Sequence, residues 1–341
     1  MYLFVYSPPK SEMFYLNTFK MKALKRSFTL VGFILFSIFI FAQSVEEAGA
    51  KYNDGNAAMK EKKYADAVNS YQEALKIAQA TGPEAHQLKG SIQTQLVNAY
   101  MKNGLVLYKN KNYDASIANL EKGYALAKSI GDANLESKLG LYLSKIHSSK
   151  GLSLIKQKKL DGALGEFVAA RKTNPKCVIS YYGQGVAYKD LGQMTEMMQS
   201  FDKAIEYGTE NKSMIKYVAK SKKAASKSLL SEATKELQKE HSDKAINYIN
   251  DSFKYAAGDA ETYYYLTVAY NKVKKYSDAV TAANKAISMK EGDKSDIYFQ
   301  LGQALEGKGD AKGACAAYKK VTSGPNVEAA KYEITQKLKC G

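Results

Sequence analysis

One arrangement of small, bulky and polar positions recurs seven times along the chain. A small residue is followed by a small or apolar one at +12, a mostly bulky one at +16, and a small or apolar one at +19. The anchors are Gly55, Gly104, Gly151, Gly185, Ala233, Thr267 and Gly302. At +12 stand Ala67, Ser116, Ala163, Met197, Ala245, Ala279 and Ala314. At +16 stand Tyr71, Leu120, Phe167, Phe201, Ile249, Ala283 and Tyr318, and at +19 Ala74, Gly123, Ala170, Ala204, Ser252, Ala286 and Val321. Nine of the fourteen +12 and +19 positions are alanine, where chance would supply roughly two. Positions 0, 4 and 7 of a helix share one face. The pattern therefore predicts a helical hairpin: the small anchor on the first helix admits the bulky face of the second.

The anchor spacings are 49, 47, 34, 48, 34 and 35 residues. The surplus in the longer units is too short for another helix pair. No strong helix breaker interrupts 84–110, 133–158 or 211–240. These are read as first helices lengthened by several turns, with Thr81-Gly82-Pro83, Gly131-Asp132 and Gly208 ending the helices before them. After Ser323-Gly324-Pro325-Asn326, Ala330, Ile334 and Leu338 recur every fourth residue, which predicts an amphipathic helix from Val327 to Lys339 that caps the last unit.

The units Tyr181–Ala204 and Tyr298–Tyr318, with Gly185, Tyr188, Phe201, Leu301, Gly302 and Ala314, resemble the tetratricopeptide repeat family. The resemblance covers about residues 46–339. It implies an all-α fold, a right-handed α-solenoid of about seven hairpins over 43–326 with a capping helix over 327–341. It also places anchor −3, +1 and +4 on an inner wall, lined here by Tyr52, Met101, Tyr182, Tyr264, Phe299 and Tyr108 among others. The site this implies is Tyr182, Tyr264 and Phe299, with Tyr108 and Met101 toward the other end, facing a protein or extended peptide. The carboxylate clamp of chaperone-binding members needs lysines where Tyr52 and Met101 stand, so that specificity is not expected.

Ahead of the repeats, Phe28–Ala42 is an uncharged apolar run of 15 residues, preceded by Lys20, Lys22, Lys25 and Arg26. A basic start, a short apolar stretch and a small exit residue make a secretory signal peptide. Residues 1–42 are read as that signal, cleaved after Ala42 or retained as an anchor. Met21 is a natural start, which makes 1–20 an upstream extension. The Phe41-Ala42-Gln43 ending resembles exported proteins of Bacteroidetes-type bacteria. The expected location is periplasmic or at the outer envelope.

Charge changes the picture little. The net +16 comes from 50 basic and 34 acidic residues, but only Arg26 and Arg171 are arginine. A nucleic-acid reader relies on arginine forks, so the reading is a solvated lysine-rich helical surface and no nucleic acid. An alternative to groove binding is an architectural role, with lysine-rich outer faces held to peptidoglycan or membrane. No zinc-ligand spacing involves His86, His147 or His241. Gly183-Gln184-Gly185 has Tyr188 where a dinucleotide fingerprint needs its third glycine. Two Ser-x-x-Lys matches lack their companion motifs. The expectation is a non-enzymatic scaffold with no metal and no cofactor. In an oxidising compartment three cysteines give one pair and one thiol. Cys315 in the last second helix and Cys340 at the end of the cap are the candidate pair, and Cys177 packs as a small apolar residue.

Overall fold

The five glycine anchors meet their partners as the spacing requires. In the computed structural model, which describes residues 44–340, a Cβ on Gly55, Gly185 or Gly302 would lie 2.5 Å from the ring of Tyr71, Phe201 or Tyr318. On Gly151 it would lie 2.6 Å from Phe167, and on Gly104 2.8 Å from Leu120. Real Cβ atoms do not approach so closely, so the two helices of a hairpin can pack at this distance only over glycine. The residues at +16 are fully buried: Tyr71, Leu120, Phe167, Phe201, Ile249 and Ala283 at 0% exposure and Tyr318 at 1%. Burial of one such large apolar side chain stabilises by about 1.5–3 kcal/mol.

The helices come in the expected pairs: α1 (44–60) with α2 (Tyr64–Thr81), α3 (His86–Lys109) with α4 (Tyr113–Ser129), and α5 (Ala133–Lys156) with α6 (Leu160–Thr173). They continue with α7 (Val178–Leu191) and α8 (Met194–Thr209), α9 (Ile215–Gln238) and α10 (Ser242–Ser252), α11 (Ala260–Lys272) and α12 (Tyr276–Met289), and α13 (Ser295–Gly307) and α14 (Ala311–Tyr318). There is no strand among the described residues. α3, α5 and α9 each have 24 residues, while α7, α11 and α13 have 13 or 14. The surplus spacing is thus spent on longer first helices. Single 3-10 turns at Pro83–Ala85 and Lys212–Met214 lead into α3 and α9.

Two expected stops differ in role. Gly82 and Gly131 have φ of 89° and 73° and end helices in conformations that favour glycine. Gly208 does not stop α8, which runs on to Thr209. Its Cβ would lie 2.5 Å from Val218, so it is a close-approach residue for α9. Gly183 has a related use: it faces the Phe167 ring of α6 as Gly185 faces Phe201 of α8. The Gly-Gln-Gly run lets α7 pack closely on both neighbours.

The described residues divide into two compact units between Ile146 and His147, within α5, where the repeat pattern alone suggests one run over 43–326. The first unit has one core around Tyr71, Ile92 and Leu96, and a second around Met101, Leu120, Leu139 and Leu143. The second unit carries a series of smaller cores around Phe201, Ile249, Ile297 and Tyr318. After α14, the helix α15 (Val327–Tyr332) is shorter than expected and widens into a π-helical turn over Glu333–Lys337. Ala330, Ile334 and Leu338 still lie together on the Tyr318 core. Cys315 and Cys340 are joined as a disulfide with Cα atoms 6.3 Å apart, and Cys177 is free and buried. Residues 1–43, which hold the expected signal peptide, lie outside the described residues.

Candidate partner-binding surface

In the second unit, the inner-wall position three before the anchor carries Tyr182 on α7, Tyr264 on α11 and Phe299 on α13. All three are half-buried. Each packs on a core and keeps part of its surface exposed. The Tyr182 ring lies 6.3 Å from Phe201 and 5.4 Å from Tyr217, and Phe299 lies 5.7 Å from Tyr318. Tyr264 packs against the Ala283–Ile297 core and lies 5.5 Å from Tyr265. Burial pushes the phenol pKa of Tyr182 and of Tyr264 up, with the Asp296 charge adding to the effect at Tyr264. Neither hydroxyl has a hydrogen-bond partner within the described residues, so these rings present a bare polar tip on an apolar body.

In the first unit the same register reads differently. Tyr108 on α3 is half-buried, with its ring 6.1 Å from Tyr113 and the Lys145 ammonium 5.8 Å from its centroid. Met101 is only 4% exposed. It shares a core with Leu139, Leu143 and Ile146 of α5, whose lengthened helix covers it, so it offers a partner little surface. Ser148, at the same offset before Gly151 in the second unit, is fully buried as well. At this one offset Met101 and Ser148 are buried, while Tyr182, Tyr264 and Phe299 are half-buried.

The structure adds residues that the repeat register did not single out. The extended half of α9 passes α7 and lines a cavity of about 930 Å³ with Tyr182, Met194, Met197 and Ala224. Lys189, Lys220, Lys223, Lys227 and Lys235 line it too. Lys220 sits 6.0 Å from the Tyr182 centroid and 5.7 Å from that of Tyr217. The signal was present as lysines at 216, 220, 223 and 227, spaced for one helix face. That stripe reads as ordinary solvated surface until the helix is seen beside Tyr182.

Two of the three histidines lie against carboxylates. His147 Nδ1 lies 2.7 Å from Glu166, which also accepts from Lys150 at 2.6 Å. His241 and Lys239 both donate to Glu236 and hold its carboxyl well down, at a pKa of about 2, the Lys239 bond contributing most. Among the described residues no cluster of His, Cys, Asp and Glu could hold a metal ion. No helix there is long and apolar enough to cross a membrane.

Residues 178–207 and 295–323 match the sequence model of the tetratricopeptide repeat family. These two stretches are tetratricopeptide repeats. The two matched stretches coincide with α7–α8 and with α13–α14 and its following turn. Solved structures of tetratricopeptide repeat proteins overlay at low scores. A tetratricopeptide repeat protein from Parabacteroides merdae is 16% identical, with a TM-score of 0.30, over 88% of this chain and 100% of its own. MamA from Desulfovibrio magneticus is 18% identical, with a TM-score of 0.33, over 52% of this chain and 92% of its own. Neither overlay is close enough to carry an argument. No curated protein matches the sequence.

Proposed function

We propose that this chain is a tetratricopeptide repeat protein, an exported interaction scaffold that holds a protein or extended peptide against the aromatic wall of its first helices. The observation that carries the reading is the recurrence of Tyr182, Tyr264 and Phe299 at one repeat offset, each half-buried beside a core. Large stiff rings with part of their surface exposed are what partner surfaces use, since they bury much area at little entropic cost. Such a scaffold needs no catalytic group. The basic-then-apolar sequence of 21–42 supports export to the periplasm or outer envelope.

The test is site-specific photo-crosslinking in native cells, followed by fractionation. A photoreactive residue at Tyr182 or at Tyr264 should capture one common protein, in the envelope fraction. A photoreactive residue at exposed Lys122 should not capture it. No protein product at either tyrosine, or a bulk cytosolic chain that retains Phe28–Ala42, would overturn the reading. Lysine-driven attachment to an envelope surface, the other reading of the basic charge, should release the chain near 0.5 M salt, whereas apolar groove contacts persist.

A further inference from the structure

We propose that the cavity between α7, the start of α8 and the extended half of α9 takes an acidic protein segment carrying an aromatic or aliphatic side chain; this rests on the scaffold reading above and names its partner's chemistry. The cavity of about 930 Å³ joins two kinds of surface. Tyr182 and Met194 supply an apolar floor, with the buried Met197 beneath them. Flexible methionine side chains accommodate apolar groups of different shape. Five lysines surround that floor and one carboxylate, Glu232, lies among them. Glu232 is already engaged, 2.6 Å from Lys235, and Lys189 lies 3.6 Å from Asp190.

That leaves Lys220, Lys223 and Lys227. Their side chains are exposed, and none has an ion-pair partner among the described residues. Elsewhere the chain repeatedly pairs a lysine with an acid three residues away, as in Lys203–Glu206, Lys239–Glu236, Lys254–Asp251 and Lys331–Glu328. Here the lysines neighbour each other at intervals of three and four on one helix face, where like charges repel. An incoming set of carboxylates removes that repulsion, and its charge steers the encounter.

The same features select among anionic partners. The groove has no arginine, whereas phosphate backbones and base edges are read chiefly by guanidinium forks. A bilayer surface cannot enter a concave site to reach Tyr182 and Met194. An extended acidic chain can do both: carboxylates on the lysine rim, one apolar side chain on the floor.

The experiment uses the full chain and fluorescent peptides of about twelve residues, blocked at both ends so that no terminal carboxylate contributes. One peptide is rich in Asp and Glu with a central Phe. A second replaces every acid by its amide. Binding is read by anisotropy. The acidic peptide should bind, and the amide version should bind at least about tenfold more weakly. The Lys220→Gln, Lys223→Gln, Lys227→Gln triple variant should weaken the acidic peptide by about tenfold with an unchanged melting temperature, since Gln keeps helix propensity. The Lys60→Gln, Lys102→Gln, Lys122→Gln triple removes equal charge from other exposed positions and should leave binding within about twofold.

Equal weakening by both triples would reduce the effect to net charge and overturn the proposal. Equal binding of acidic and amide peptides would overturn the acidic partner while leaving a protein-binding scaffold standing. Binding to vesicles of equal parts phosphatidylglycerol and phosphatidylcholine, without binding to the peptide, would also overturn it. Failure of the scaffold reading itself would show separately, as no protein captured at Tyr182 or Tyr264.

Discussion

At the scale of single residues, volume passes between the anchor and the position sixteen later. Five glycine anchors face Tyr71, Leu120, Phe167, Phe201 and Tyr318. Where the anchor grows to Thr267, the residue at +16 shrinks to Ala283, and both are fully buried. Gly185→Ala should therefore be costly. Its Cβ would lie 2.5 Å from Phe201, a ring at 0% exposure with nowhere to turn. A loss of about 1–3 kcal/mol in denaturant unfolding is expected. Gly165→Ala in α6 is the control: nothing lies within 4 Å, and alanine in a helix interior should gain about 0.5–1 kcal/mol. A Gly185→Ala chain as stable as the parent would undo the reading of the anchors. A second residue-scale regularity was hidden from sequence. Position +7 is left-handed in all seven units: Lys62, Lys111, Lys158, Gly192, Glu240, Lys274 and Gly309, with φ between 58° and 82°. Only two are glycine. Lysine and glutamate carry no turn signal of their own, so the hairpin imposes this conformation and the residue type does not announce it.

At the scale of elements, helix pairing was legible because it depends on local periodicity. Where the longer helices lead was not. Met101 and Tyr182 share an offset, yet Leu139 and Leu143 of the extended α5 cover one, while the extended α9 brings lysines beside the other. The connections between elements carry their own chemistry. In the loop before α13, Asp293 accepts from the Ser295 backbone N–H at 3.0 Å and from the Ser295 and Ser323 hydroxyls, which ties this loop to the one before α15. These donors, with Lys290 nearby, hold its carboxyl at a pKa of about 2, the Ser323 bond contributing most. A pKa below the ordinary carboxylate value means that the folded chain binds the proton less readily than the unfolded one. The stabilisation is then present above about pH 4 and is lost as pH falls toward 2. Asp293→Asn lacks this titration. The difference in melting temperature between parent and Asp293→Asn should be constant from pH 7 to about 5 and shrink below pH 4. A difference that stays constant down to pH 2 would show that Asp293 contributes no such linkage.

At the scale of the whole molecule, the repeat register gives the core and the open wall from one set of numbers, and they must be told apart by energy. Phe201 and Tyr182 illustrate the contrast, since they lie 6.3 Å apart on adjoining helices. Phe201 is at 0% exposure, and its replacement by alanine should cost about 3–5 kcal/mol. Tyr182 and Tyr264 pack on cores with part of their surface exposed, so alanine at either should cost clearly less, about 1–2 kcal/mol, scaled to the buried share of the ring. Phenylalanine at either should cost almost nothing, because neither hydroxyl bonds within the described residues. Binding should respond in the opposite order. An aromatic anchor at an interface contributes 2 kcal/mol or more, so Tyr182→Ala should weaken the partner about thirtyfold. Thermal melts of Phe201→Ala, Tyr182→Ala, Tyr264→Ala and the two phenylalanine variants check this without the partner in hand. If Tyr182→Ala and Tyr264→Ala lose as much as Phe201→Ala, the rings belong to the packing of the repeats, and the wall they form is not a surface for anything else.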